Sequence, residues 1–519
     1  MKNRLTAASN GCARALRVAG LLAGAAWLAG CTVPSVLPDQ ALTQQQGAVV
    51  LKLIDDSRDG EASELRWLKQ INLYRQVNPG EDGPRIGGIL RRDNPAAHST
   101  YLYSDVLKPG TYAFRNVIGS FGSTHYTYPL DKFLSTFEVK PGQVTMVGTL
   151  VIHPNGGTRF QVGYVPPGPE LQQTMDDLYP VMAAQMKGKP VNTLHSPPLL
   201  ERDKQLAQSF KRAPSQWNGL DQTAEGDFLG GAKLGKVLWR KAGESRWREL
   251  DTGAWGEVLS ARPYRGGLLA AGEEGLLRLS RDEGVNWTAL TPPEHAVIAG
   301  VLPLANGKVL AVSHRDRQWN TWVSDDVERG QWRKLGSFMQ DVWLGGRPAV
   351  TVWQDTLVAA MPNGKVHIVG ETSTRVMDIG AVTVDIAALA DGTLVSRSAA
   401  SIASMTTMTS RDGGKTWTDL GTSGFKAIAL KDAQTGYAVA RVESGAMAGK
   451  YALMTSRDGG RSWTPTGEDP GPSDRDGVRR MAVDRSNGAL LAFLKEGTVV
   501  QSRDEGKSWQ ALEGLRKGG

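Results

Sequence analysis

One short phrase recurs along the second half of this chain and limits what the chain can fold into. It reads SRDEGVNW at 280–287, SRDGGKTW at 410–417, SRDGGRSW at 456–463 and SRDEGKSW at 502–509. A looser copy, SDDVERGQW, occupies 324–332, and a degenerate one, RKAGESRW, occupies 240–247. The closing tryptophans, Trp247, Trp287, Trp332, Trp417, Trp463 and Trp509, are spaced by 40, 45, 85, 46 and 46 residues. The gap of 85 is two periods, and HIVGETSTRVMDIG (367–380) lies midway with Val376 where the tryptophan belongs. The chain therefore carries seven units of about 44 residues. Each reads as four short strands; in the second unit they are GEVLSARPY, GLLAAGEEG, LLRLSRD and WTALTP. Units of this length and strand content are the signature of a β-propeller. A lone four-stranded sheet cannot bury both faces, so such a ring has to close for any unit to be stable.

The phrase itself is built for folding. Asp282, Asp412, Asp458 and Asp504 can accept hydrogen bonds from amides of their own turn, supported by Ser280, Ser410, Ser456 and Ser502. Gly284, Gly414, Gly460 and Gly506 supply the left-handed backbone that other residues resist. Trp287, Trp417, Trp463 and Trp509 add large apolar area at the third-to-fourth strand hairpin. The pattern Ser-x-Asp-x-Gly-x-x-Trp is similar to the Asp-box of sialidase-like propellers. Its extended form, Gly275–Trp287 and Gly497–Trp509, resembles the photosystem-assembly-factor and BNR-repeat propellers. The resemblance runs from about residue 220 to the C-terminus and implies a seven-bladed ring that binds or helps assemble a protein. Sialidases of this superfamily add three arginines, a Tyr–Glu nucleophile pair, an Asp acid/base and a Phe/Tyr-Arg-Ile-Pro phrase. ARPYRGG (261–267) is not that phrase. The three tyrosines of the repeat region, Tyr264, Tyr437 and Tyr451, sit in no recognisable nucleophile setting. A glycan-binding or sialidase-type propeller is the runner-up, and no catalytic residue is assigned.

Other chemistries find no foothold. The histidines at 98, 125, 153, 195, 295, 314 and 367 lack metal-ligand spacing, so no metal or cofactor is expected. There is no nucleophile elbow or phosphate loop. Arg262, Arg265, Arg315, Arg317, Arg397, Arg441 and Arg479 recur around strand ends. If they converge on one face, they form a surface for a partner or an anionic ligand.

The N-terminus sets the address. Lys2, Arg4, Arg14 and Arg17 precede the apolar run LLAGAAWLAG, which is too short for a spanning helix and has the form of a secretory signal. Leu28-Ala29-Gly30-Cys31 resembles the bacterial lipoprotein signal, in which the cysteine is lipidated and becomes the mature N-terminus. Several acyl chains on one residue anchor stably where one chain does not. Thr32 is not an acidic retention residue, which favours the outer membrane, facing the periplasm. Loss of residues 1–30 removes four cations and no anion, so the net charge falls from +7 to +3. Nucleic-acid binding loses its electrostatic support. Cys12 leaves with the signal, and Cys31 alone cannot form an internal disulfide.

Residues 31–46 read as a flexible tether. Across 47–167, β-branched runs alternate with turns, and Pro-Gly joins strands in VLKPGTYAFRNV (106–117) and FEVKPGQVTMVGTLVI (137–152). This resembles the transthyretin-like and carboxypeptidase-regulatory β-sandwiches. Residues 168–215 read as one or two connector helices, with Leu171, Met175, Leu178, Val181 and Met182 as a stripe against a neighbouring domain. The expectation is a mainly β protein: sandwich, short helical connector, and a seven-bladed propeller at 216–519. It would be held to the envelope by lipid on Cys31 and bind an envelope protein, with protection against a toxin as a third possibility.

Overall fold

The computed structural model describes residues 36–512 except 57–67, 77–84, 93–98, 122–123, 131–135, 155–159, 188–196, 214–216, 224, 316, 341–348, 390–391, 402–403, 421–424, 433, 443–450, 472–476 and 495–497. The N-terminal unit contains β1 (Gly47–Asp55), β2 (Leu68–Arg75), β3 (Arg85–Arg92), β4 (Thr100–Leu107), β5 (Gly110–Phe121), β6 (Thr124–Pro129), β7 (Phe137–Val139), β8 (Val144–Pro154) and β9 (Phe160–Val165). They hydrogen-bond along one path, β6-β5-β2-β3-β4-β1-β8-β9, with β7 joined to β5. The two separately paired sheets expected of a sandwich are not seen in this pairing. A single curled sheet instead gathers Leu51, Ile71, Tyr103, Phe114, Phe137, Leu150 and Tyr164 around one core. All the pairings are antiparallel except β1 with β8. There the register skips Val147, and Gly148 after it passes close to Val165: its φ is +113°, and a Cβ would lie 2.5 Å from the Val165 carbonyl oxygen.

β1 is buried along its whole length, and its period-two alternation assigns each face a task. Val49, Leu51 and Leu53 point into the unit's own core. On the opposite face Ala48 and Val50 meet the connector helices, Lys52 meets the second half of the chain, and Ile54 joins a cluster shared by both halves. Burying a side chain the size of Ile54 contributes about 1.5–3 kcal/mol.

Among the described residues three helices follow rather than one or two: α1 (Pro169–Leu178), α2 (Pro180–Met186) and α3 (Pro197–Arg212). Proline starts each of them, where its missing N–H is not needed, and Pro180 separates α1 from α2. Leu171, Met175 and Met182 of the stripe are buried and Leu178 partly so, whereas Val181 is exposed. The same cluster takes in Val36 and Leu42, and the Leu42 amide donates to Gln185 Oε1 at 2.8 Å. Residues 36–42, expected to hang free as a tether, are thus packed against α2. Val36 and Leu42 are the two side chains of the segment that are buried there, and they make the difference.

The rest of the chain is a β-propeller type of arrangement. Seven four-stranded antiparallel sheets occur among the described residues, at 217–251, 258–289, 297–339, 349–378, 382–419, 425–468 and 478–511. Second strands such as Phe228–Ala232 and Leu490–Leu494 are wholly buried, while fourth strands such as Thr288–Ala289 are exposed. Apolar clusters join the first sheet to the second, second to third, third to fourth, fourth to fifth, and sixth to seventh. Another joins the last to the first: Phe228, Leu238 and Trp247 pack with Leu491, Phe493 and Val499. Trp247 meets the Phe493 ring edge-on at 6.0 Å. Beside it, Arg240 of the first sheet and Asp484 of the seventh form an ion pair at 2.6 Å with 1% and 0% of their side chains exposed.

Candidate binding face

The repeated hairpins show where their aspartates are committed. In the second sheet the Ser280 hydroxyl donates to Asp282 Oδ1 at 2.9 Å and accepts the Gly284 amide at 2.8 Å. The Asn286 amide and side chain donate to the same carboxylate at 2.8 and 2.7 Å. Thr416 repeats this on Asp412, Ser462 on Asp458 and Ser508 on Asp504, each through its amide and its hydroxyl. Hydroxyl and amide donors from Thr416 hold Asp412 down at about 2, and those from Ser462 hold Asp458 at about 2. Asp504 is held lower still, by Ser508 first, and Asp282 is lowered by the Asn286 amide. Gly284, Gly414, Gly460 and Gly506 have φ between +86° and +89°. The indoles of Trp287, Trp417 and Trp463 donate to the carbonyls of Gly284, Gly414 and Gly460. In each of these ionised carboxylates both oxygens accept hydrogen bonds from the residue's own turn.

A second pattern, not anticipated from the sequence, ties one hairpin to the next. Lys241 and Arg248 of the first sheet reach Glu283 of the second, at 2.5 and 3.1 Å. Arg281 of the second pairs with Glu328 of the third. Lys308 of the third meets Glu371 of the fourth at 2.6 Å, and Arg457 of the sixth meets Glu505 of the seventh at 2.6 Å. In each pair the cation precedes and the carboxylate follows. The signal was present in the repeat itself, since Arg281, Arg411, Arg457 and Arg503 all hold its second position. Between the fifth and sixth sheets the equivalent of Glu283 and Glu505 is Gly459. A groove opens there, lined by Arg411 and Arg461 together with Asp412, Asp458, Gln434 and Thr416.

The arginines singled out from the sequence do not share one face. Arg262, on the first strand of the second sheet, is buried and ion-paired with Asp221 on the first strand of the first sheet. Arg265 occupies the turn after that strand, at φ +46°, near Glu328 on the repeat-hairpin end. Arg315 and Arg441 end second strands, which places them at the opposite end, and Arg317 follows Arg315 there. Arg315 Nη2 donates to the His295 carbonyl at 2.5 Å. Arg397 is in mid-strand opposite Asp385, and the Arg479 side chain lies outside the described residues, as does Cys31. Strand direction explains the scatter, because a residue's place along the strand decides which end it reaches. Among the described residues no three His, Cys, Asp or Glu side chains are grouped to hold a metal ion.

At the end opposite the hairpins, the first three sheets meet the N-terminal part of the chain. Glu273, after the second strand of the second sheet, accepts from the amide and hydroxyl of both Ser99 and Thr100, at 2.6–3.1 Å. The Glu257 amide adds a fifth donor at 2.9 Å. Its neighbour Glu274, at φ +56°, pairs with Lys52 of β1 at 2.6 Å; burial pushes its carboxyl up and Lys52 draws it back. Lys233 of the first sheet donates to the Asp55 carbonyl at 2.9 Å. His295, entering the third sheet, meets Thr174 and Asp177 of α1 at 3.2 and 3.8 Å. Desolvation first, then Lys52 and Arg315, bring that imidazole down to about 4. Connections of the first three sheets are therefore covered by the N-terminal unit and α1.

No protein-family model and no curated protein matches the chain. Solved structures are similar to part of the chain. One of YCF48 bound to D1 peptide superposes with a TM-score of 0.41 at 12% identity, covering 56% of this chain and 92% of its own. YCF48 from Cyanidioschyzon merolae gives 0.38 at 15% identity, covering 50% and 86%. The β-propeller domain of Cps50 (Swd1) from Myceliophteria thermophila gives 0.36 at 14% identity, covering 55% and 97%.

Proposed function

We propose that this is a lipid-anchored protein of the bacterial envelope, held by Cys31 to the periplasmic side of the outer membrane. Its seven sheets are the blades of one closed propeller, and the propeller is a non-catalytic scaffold that binds an envelope protein. The observation that carries the reading is the contrast between the two ends of the sheets. At one end the connections of the first three sheets are covered by the chain's own N-terminal unit through Glu273, Glu274 and Lys233. The other presents a rigid rim of charged hairpins whose aspartates are internally satisfied, with the Arg411–Arg461 groove cut into it. A rigid rim loses little ordering entropy on contact, which suits recognition. Arg411 and Arg461 share the groove with the ionised Asp412 and Asp458, so the partner segment meeting it is polar and mixed in charge.

Affinity purification from membranes tests this, comparing the wild type with the Arg411→Glu/Arg461→Glu double variant. A partner recovered with the wild type and lost with the variant supports the reading. Equal recovery from both places the partner elsewhere. Cys31→Ser is expected to release a soluble periplasmic form, and a variant that still sediments with membranes refutes the anchor.

A further inference from the structure

We infer that the face formed by α2 and residues 36–42 rests on the lipid bilayer, so that the repeat hairpins point away from it. This rests on the anchoring role of Cys31 proposed above. Val36 is only 1% exposed and is fixed in the cluster with Leu171, Met175, Met182 and Met186. Leu42 is tied to α2 from both directions, its amide donating to Gln185 and its carbonyl accepting from the Gln185 side chain at 3.3 Å. Five residue steps separate Cys31 from Val36, and a fully extended chain spans at most ~3.6 Å per step, or about 18 Å. A lipidated Cys31 cannot let this face drift far from the membrane.

The exposed side chains fit that position. Val181, Ala184 and Lys187 follow one another at helical spacing along the outer side of α2. Leu37 stands exposed beside the buried Val36. Val181 at 36% and Leu37 at 49% exposure are large hydrophobics left in water, and a lysine at the end of their helix suits anionic headgroups. Asp39 and Asp176, nearby in the sequence, are exposed as well. Val285, 77% exposed, sits in the repeat hairpin of the second sheet. The third strand of that sheet runs from the Glu273 junction to this hairpin, so Val285 is at the end remote from the N-terminal unit.

The test uses the lipidated protein purified from membranes, whose Cys31 thiol is blocked, carrying Val181→Cys or Val285→Cys labelled with an environment-sensitive fluorophore. Both positions are exposed, so the fold tolerates them. Each is reconstituted on phosphatidylcholine–phosphatidylglycerol vesicles containing a nitroxide-labelled lipid, and flotation is read in parallel. The expected result is flotation of both, with label 181 quenched several-fold more than label 285. Flotation with equal quenching, or with label 285 the more quenched, overturns the orientation while leaving the anchor standing. Failure of both to float refutes the anchor, and the orientation falls with it.

Discussion

Removing Asp484 should be among the most damaging single changes in the second half of the chain. Its carboxylate takes hydrogen bonds from Arg240 Nη2 at 2.6 Å, the Ser486 amide at 2.9 Å, the Ser486 hydroxyl at 2.6 Å and Asn487 Nδ2 at 3.0 Å. Asp484→Ala leaves the Arg240 guanidinium buried over Phe228 and Trp247, at 4.6 and 5.4 Å from their rings, with no counter-charge. Stranding one member of a buried pair costs about 3–5 kcal/mol. Arg240→Met is the milder change: the methionine keeps an apolar stem near both rings, and Asp484 retains Ser486 and Asn487 as donors. Its cost is about 1–3 kcal/mol, the range for losing one hydrogen bond to a charged group. The double variant should be more stable than Asp484→Ala alone, because the stranded cation is gone. Urea titration followed by tryptophan fluorescence measures all three. If Arg240→Met costs more than Asp484→Ala, or both cost less than about 1 kcal/mol, the surface-pair range, then the pair does not hold the first sheet to the last.

Three further expectations follow from particular contacts. A Cβ on Gly506 would fall inside Leu453, whereas one on Gly488 meets nothing within 4 Å, and φ is positive at both. Gly506→Ala should therefore cost about 1–3 kcal/mol of overpacking beyond Gly488→Ala in the same titration, and equal costs would contradict the hairpin packing. His295 and His367 are both drawn by desolvation from 6.5 to about 4. The unfolded chain binds protons in that window that the fold refuses, so stability is full above about 6.5 and declines as pH falls toward 4. Asp412 and Asp458, lowered to about 2, contribute above the ordinary carboxylate range and give way only as pH falls through about 2. A chemical-denaturation series across pH should thus show an early loss abolished by His295→Gln/His367→Gln; its persistence would refute the assignment. Glu273→Gln replaces one acceptor oxygen by a donor facing Ser99 and Thr100, and should speed proteolytic separation of the N-terminal unit several-fold. An unchanged cleavage rate would deny Glu273 its role in docking.

The repeat was readable in the sequence because its function is local. The side-chain hydrogen bonds of Ser280, Asp282 and Trp287 are all made within residues 280–287, so the residues that specify the turn stand side by side. Trp247 and Val376 show where copying ends. Trp247 lost its box but became the buried contact to Phe493, while Val376 stands 55% exposed on the outer strand of the fourth sheet. The junction was invisible for the opposite reason: Ser99 and Glu273 lie 174 residues apart, and a polar pair at that separation leaves no periodic trace. Cation-to-carboxylate links between hairpins were recoverable in principle from the recurrent Arg281 position, but only once adjacent sheets were known to touch. Burial of Val36 and Leu42 was hidden by the polar residues around them, which dominate any compositional reading of 32–46.

The central claim is that the first and last sheets are neighbours in a closed ring. Paired spin labels test it directly, in a form lacking residues 1–35, which has no native cysteine. Ser245→Cys with Val285→Cys reports on adjacent hairpins of the first and second sheets. Ser245→Cys with Lys507→Cys reports on the first and seventh. The account predicts short, narrow distance distributions of the same class for both pairs. A long or broad distribution for the 245–507 pair, beside a short one for 245–285, would show an open stack and contradict it.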